Sequence, residues 1–346
     1  MTDSERISGS TTGPADPEPG ADPELGAGPK PGPGPEFAVE PAPEDAPDER
    51  PRVAAPAKPR GLWGDAWYEL RHRPMFLVAS AIIAFLLLMS LFPQLFTSVD
   101  PAHKDLYLVR EEPSARAWFG YDVQGRDIFA RVVYGTRVTI AVGLLSTALT
   151  VLVGSVVGLL AGYYGGWLDG LLSRFSEIFL GLPFVLGAIV ILTTLNSTSS
   201  APDPVRIVVQ VVASIAVLSW PLSMRIMRAA AISAREQDYV KAARALGARP
   251  SRVILHHMLP NCVAPVLVYA TIALGAFVGA EATLSFLGIG LRDPVVSWGV
   301  MIADSRDYIK TSPHLLIFPA AFLTATVLAF VMLGDAVRDA LDPKQK

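Results

Sequence analysis

The chain has 346 residues, 51% of them apolar and 18% charged, with mean hydropathy +0.40 and a formal net charge of −3, a balance that disfavours an ordinary soluble enzyme. Its single cysteine, Cys262, excludes an internal disulfide and any multi-cysteine metal site. The charge is uneven: residues 1–60 hold 14 of the 29 prolines and 12 of the 32 acids but only 6 of the 29 basic residues, so the remainder of the chain is net positive.

Residues 1–60, with runs such as Pro29-Lys30-Pro31-Gly32-Pro33-Gly34-Pro35, carry too few large apolar side chains to offset the entropy of ordering them, and a disordered acidic tail is predicted. Residues 61–346 form the predicted membrane domain. The first long apolar run begins near Met75, too far along for a signal peptide, and no cleavage is expected. Stretches free of Asp, Glu, Lys and Arg follow at 74–99, 138–168, 178–202, 207–224, 253–280 and 311–334. Each suffices for a helix across a hydrocarbon core of about 30 Å. The runs are continuous, without the in/out alternation of barrel strands, so an all-α protein with six transmembrane helices is predicted.

An even span number puts both termini on one side. With the N-terminus in the cytoplasm, the inner segments hold 17 Lys and Arg and the outer segments 10, so both termini are predicted to be cytoplasmic. The long connections are 97–137 and 288–312 outside and about 226–262 inside. Span two carries Gly154, Gly158, Gly162 and Gly166 at four-residue spacing, and span five carries Gly275 and Gly279. Such stripes let a second backbone approach closely. Packing within this chain is the expected use; a seam with a second subunit or a wall of a transport path is the alternative. Pro183, Pro221, Pro265 and Pro319 lie in or beside spans and are expected to shape the helices locally.

The inner loop carries a short amphipathic helix, predicted over 236–247. Tyr239, Ala242, Ala243 and Leu246 fall at i, i+3, i+4 and i+7, making one apolar stripe, and Gly247 is placed to end the helix in a left-handed cap. Residues 225–252 hold seven basic residues and two acids. A helix lying in the headgroup region is the plain alternative to a docking helix.

Ala242-Ala243, Gly247 four residues on, and Leu259-Pro260 beyond it resemble the EAA motif of binding-protein-dependent ABC importer permeases, with Lys241 and His257 departing from the usual residues. Phe119-Gly120-Tyr121-Asp122-Val123-Gln124-Gly125-Arg126-Asp127, Tyr134-Gly135-Thr136-Arg137, Gly162-Tyr163-Tyr164-Gly165-Gly166, Leu284-Ser285-Phe286-Leu287-Gly288 and Ser297-Trp298-Gly299 resemble the C-type subunit of dipeptide and oligopeptide permeases. The resemblance spans about residues 62–342. It implies a type I ABC importer permease fold, a homologous second permease subunit, two cytoplasmic ABC ATPase subunits and an extracytoplasmic solute-binding protein. The implied ATPase-coupling residues are Tyr239, Ala242, Ala243, Leu246, Gly247, Leu259 and Pro260. Nickel and glutathione importers share this subunit type. The chain contains no Gly-x4-Gly-Lys-Ser/Thr phosphate loop, so ATP is expected to be used by the separate ATPase; no cofactor on this chain and no nucleic-acid partner are expected.

Glu281 is the only acid between Asp238 and Asp293 and sits towards the outer end of span five. A carboxylate at such depth is costly unless paired or hydrated, which makes it the candidate substrate-path residue, with structural pairing as the alternative. His256 and His257 do not form His-Glu-x2-His, no Gly-x-Ser-x-Gly elbow occurs, and Gly334-Asp335 lacks a partner aspartate, so enzymatic classes are not expected. A stand-alone secondary transporter or channel is the rival from another class; it predicts intramembrane ionisable groups or inverted repeats.

Overall fold

The computed structural model describes residues 70–197 and 203–341; the predicted acidic tail lies outside the described residues. Nine helices lie within them: α1 Pro74–Leu91, α2 Ile128–Tyr164, α3 Gly166–Leu180, α4 Phe184–Ser197, α5 Pro204–Arg235, α6 Asp238–Ala245, α7 Pro250–Phe286, α8 Trp298–Ser305 and α9 His314–Leu341. Five are long and apolar enough to cross a membrane, and the bent pair α3–α4 makes up to six.

The third predicted span, 178–202, falls on the bent pair that makes the sixth candidate span. Its helix is α4, of 14 residues, and α3 precedes it at an angle of 88°. Pro183 explains the break: it offers no N–H and disfavours helical backbone at Leu182, so α3 stops at Leu180 and a new helix starts at Phe184. The second span also begins earlier than its charge-free stretch, because Arg131 and Arg137 are inside α2 rather than in a loop.

Helices in a bilayer gain little by hiding apolar surface from equally apolar lipid, so close backbone contact and polar ties carry the packing. The α2 glycine stripe supplies the contact with α5. A Cβ at Gly154 would fall 2.7 Å from the Trp220 carbonyl, at Gly158 2.4 Å from that of Met224, and at Gly162 2.6 Å from the Ala231 Cβ. The stripe therefore packs within this chain, as its plainer expectation has it; Gly166 has left the face and begins α3. Gly275 admits α9 in the same way, at Val327 and Phe330, whereas Gly279 faces open space.

Polar ties fix the helix ends. Arg137 of α2 donates to the carbonyls of Ser90 (3.0 Å) and Leu91 (3.4 Å), closing the last turn of α1, and Arg73 pairs with Asp339 of α9 at 2.7 Å. Asp127 caps α2 through the Ala130 amide and Asp203 caps α5 through that of Val205. The bundle thus has one end carrying α6 and another carrying α8. Near the α6 end α7 widens into a π turn over Val253–Met258. Pro260 would clash with the His256 carbonyl in an ordinary helix, and the wider turn removes the conflict; the Asn261 side-chain amide donates to the His257 carbonyl at 2.8 Å.

Candidate functional site

The loop between α5 and α7 folds as expected around one short helix, with sharper boundaries. α6 runs Asp238–Ala245 and closes with Gly247 at φ 77°, where the Ala248 amide bonds the Ala243 carbonyl (3.1 Å) and the Gly247 amide that of Arg244 (2.9 Å). This is the paired-bond C-cap that a glycine in left-handed backbone permits.

Val240, outside the predicted stripe, is the residue that seats α6. It is fully buried with Met227, Ala231 and Ala234 of α5 and Val253, Ile254 and Met258 of α7. Most of the predicted stripe faces the other way, Leu246 being 88% exposed and Tyr239 41%, while Ala243 packs half-buried against the same cluster as Val240. Tyr239, Ala242, Ala243, Leu246 and Gly247 line a concave surface of about 970 Å³, completed by Arg249, Arg252, Leu255, His256 and His257. Leu259 and Pro260 lie outside it. Leu259 packs against the cluster beneath α6, and Pro260 shapes the turn of α7. Partial burial pushes the Tyr239 phenol up from its usual range.

Electrostatically the concavity is one-sided. Lys241 lies 3.8 Å and Arg235 3.3 Å from the Glu236 carboxylate, whereas Arg249 and Arg252 are exposed and make no ion pair among the described residues. Small side chains, a projecting Leu and Tyr, and unpaired guanidinium groups form a surface suited to a protein groove with complementary acids.

Glu281 faces no open space. It is fully buried, and its Oε1 accepts from the Ser285 (2.8 Å) and Ser297 (2.9 Å) hydroxyls. Ser285 Oγ in turn accepts from the Leu291 amide at 3.0 Å, and Ser297 Oγ from that of Val300, the first turn of α8. Trp298 donates from its indole to the Val132 carbonyl (3.0 Å) and from its backbone to Thr139 Oγ1 (3.3 Å), while Gly299 leaves the room that α8 needs beside Ala282. The carboxylate thus ties α7 to α8, and the path-facing position expected of it finds no surface here. Two of the sequence stretches singled out, Leu284–Gly288 and Ser297–Gly299, meet at this tie.

A second cluster escaped the sequence. Arg126 and Arg131, expected in an outer loop, are 2% and 1% exposed. Asp122 accepts from Arg126 Nε at 2.6 Å and lies 3.5 Å from that of Arg131, while Asp304 and Asp293 approach Arg126 at 3.5 and 3.6 Å. Burial pushes the Asp304 carboxyl up, with Arg131 and Arg126 pulling it back. The Asp122/Arg126 spacing was the available signal; Asp304 lies 178 residues from Arg126.

A bundle of bilayer-length helices packed through small residues, with a short helix held at one end, defines a multi-pass membrane protein. The chain belongs to the family of binding-protein-dependent transport system inner membrane components, whose pattern it matches over residues 154–346; residues 61–113 match the N-terminal transmembrane domain of oligopeptide transport permease C. It is 37% identical over 306 residues to the dipeptide transport system permease protein DppC of Alkalihalophilus pseudofirmus, covering 88% of this chain and 96% of that protein. It is 34% identical over 295 residues to the glutathione transport system permease protein GsiD of Escherichia coli, covering 85% and 94%. A solved inward-facing structure of the MetNI methionine ABC transporter shares the fold, with TM-score 0.50 and 21% identity over 61% of this chain and 96% of that one.

Proposed function

We propose that this chain is one of two permease subunits of an ATP-driven importer in the cytoplasmic membrane, moving dipeptides or short oligopeptides inward. The observation that carries the coupling role is α6: anchored from beneath by Val240, it projects Tyr239, Ala242, Leu246 and Gly247 away from the bundle. A cytoplasmic ATPase receives this face, and closure of two such ATPases on ATP moves α5 and α7, between which α6 is strung. Both termini are cytoplasmic; an extracytoplasmic binding protein delivers cargo at the α8 end, and a homologous second permease completes the path. The 37% identity to a dipeptide permease supports peptide cargo, while the 34% identity to glutathione permeases supports glutathione as the second reading.

Purification of the tagged chain in gentle detergent tests the assembly. Two ATPases, a related permease and a binding protein are expected in the eluate; a self-contained oligomer overturns the proposal. Competition for labelled dipeptide uptake by unlabelled peptides, glutathione and nickel decides the cargo. Inhibition by dipeptides at far lower concentration than by glutathione supports peptides, and the reverse order supports the second reading.

A further inference from the structure

The turn Gly162-Tyr163-Tyr164-Gly165-Gly166 lies at the α6 end, and three arginines hold it or the first turn of α3 that follows it. Arg235 Nη1 donates to the Gly162 carbonyl at 3.2 Å. Arg228 grips Asp169 of α3 with both Nε and Nη2, the latter at 2.6 Å. Arg244, on α6 itself, stands over the Tyr163 ring at 4.6 Å from its centroid. The backbone is shaped for this convergence: Gly165 and Gly166 both take positive φ (65° and 58°), which folds α3 back under α2, and the missing Cβ of Gly162 lets α5 close on the turn.

Tyr163 has a second attachment, since its ring also packs against the apolar cluster that holds Val240. The turn therefore touches α6 twice, once through shared apolar neighbours and once through the Arg244 guanidinium.

We propose that Tyr163 and Arg244 are positioning residues that lock α6 to α2, so that displacement of α6 by a bound ATPase is passed to α2 as well as to α5 and α7. The proposal rests on α6 being the ATPase-docking helix. An arginine against a tyrosine face is held by attraction to the ring's electron-rich surface together with flat packing, and neither depends on the hydroxyl. Phenylalanine at 163 therefore retains the lock; leucine, apolar but smaller and without the ring, breaks it.

The test uses the assembled transporter in proteoliposomes, with ATP hydrolysis and substrate uptake measured on the same preparations of wild type, Tyr163→Phe, Tyr163→Leu and Arg244→Ala. Tyr163→Leu and Arg244→Ala should each raise the ATP consumed per substrate imported by about threefold, the size expected of one partly exposed cation–ring contact, while Tyr163→Phe stays at the wild-type ratio. The double variant Tyr163→Leu/Arg244→Ala should be no worse than either single one, because both remove one contact. A merely structural role would lower assembly yield and leave the ratio of ATP to substrate untouched in the complexes that form; that result overturns the proposal. So does equal behaviour of Phe and Leu at 163. Should the wild-type chain itself recover no ATPase, the docking role of α6 fails first, and the two failures are told apart by that control.

Discussion

Replacing Glu281 separates a structural tie from a path residue. In Glu281→Ala the Ser285 and Ser297 hydroxyls lose the oxygen they share, and a cavity opens where α7 meets α8. Leaving a buried hydroxyl unsatisfied costs about 1–3 kcal/mol, so two such groups amount to roughly 3 kcal/mol even with partial rearrangement. Glu281→Gln is the informative partner. Its amide oxygen replaces Oε1 and accepts both bonds, while its NH2 falls at Oε2, which has no hydrogen-bond partner within the chain. Because Oε2 is already buried without a partner in the wild type, exchanging it for a neutral amide nitrogen adds less than about 1 kcal/mol. Cys262 offers a direct assay, being the sole cysteine and fully buried: a thiol-reactive fluorophore reports the temperature at which it becomes accessible. Glu281→Ala should lower that midpoint by roughly 6–10 °C and Glu281→Gln by less than about 3 °C. Uptake by Glu281→Gln, corrected for the amount of chain in the membrane, should match wild type. Lost uptake with an unchanged midpoint would refute the tie and return the carboxylate to the transport path.

Three further outcomes follow from the packing and the ion pairs. Gly158→Ala should destabilise by about 1–3 kcal/mol in the same thiol assay, because its Cβ would lie 2.4 Å from the Met224 carbonyl in a backbone that cannot yield, whereas Gly279→Ala, facing open space, should leave the midpoint unchanged or raise it. Gly247→Val meets no neighbour within 4 Å yet must hold φ near 77°, so fold stability should barely change while the α6 cap frays; reduced recovery of ATPase per permease on copurification measures it. Arg126→Met leaves the buried Asp122 carboxylate without its closest partner and should cost about 3–5 kcal/mol, against less than about 1 kcal/mol for the exposed pair in Arg306→Gln. Equal midpoints for those last two variants would show that the buried cluster contributes nothing.

Four spans, α1, α5, α7 and α9, follow from charge-free runs because their long apolar stretches have only one way to be satisfied in a bilayer. The start of α2 was hidden by the same criterion. Arg131 and Arg137 look like loop residues until their partners are known, and those partners, Asp122 and the Ser90 carbonyl, come from other parts of the chain. The break between α3 and α4 was signalled by Pro183 but not its 88° angle, which depends on what the two helices pack against. At the candidate site the stripe Tyr239, Ala242, Ala243 and Leu246 was legible from helical spacing alone. That Val240 anchors the helix was not, since a single valine off the stripe acquires meaning only when α5 and α7 close around it. Glu281 was rightly singled out as unusual, yet its partner Ser297 lies sixteen residues on, beyond a chain reversal that local pattern does not specify.

The length of α2 has a mechanical consequence. Thirty-seven residues in one unbroken helix make a strut of about 55 Å, with the buried Asp122–Arg126–Arg131 ion cluster beside its first turn and Tyr163 in its last. A strut pivoting on the Gly154–Gly158 contact, about 42 Å from its first residue and about 12 Å from its last, moves its two ends in opposite directions, and a tilt of only about 5° carries the long arm roughly 3.7 Å for roughly 1 Å at the Tyr163 end. Under the proposed lock between α6 and α2, a push at α6 would reach the far end, beside α8, without any relay of side chains through the membrane interior. Stiffness over the full thickness of the bilayer, rather than a chain of small adjustments, would set how fast the two ends respond to each other.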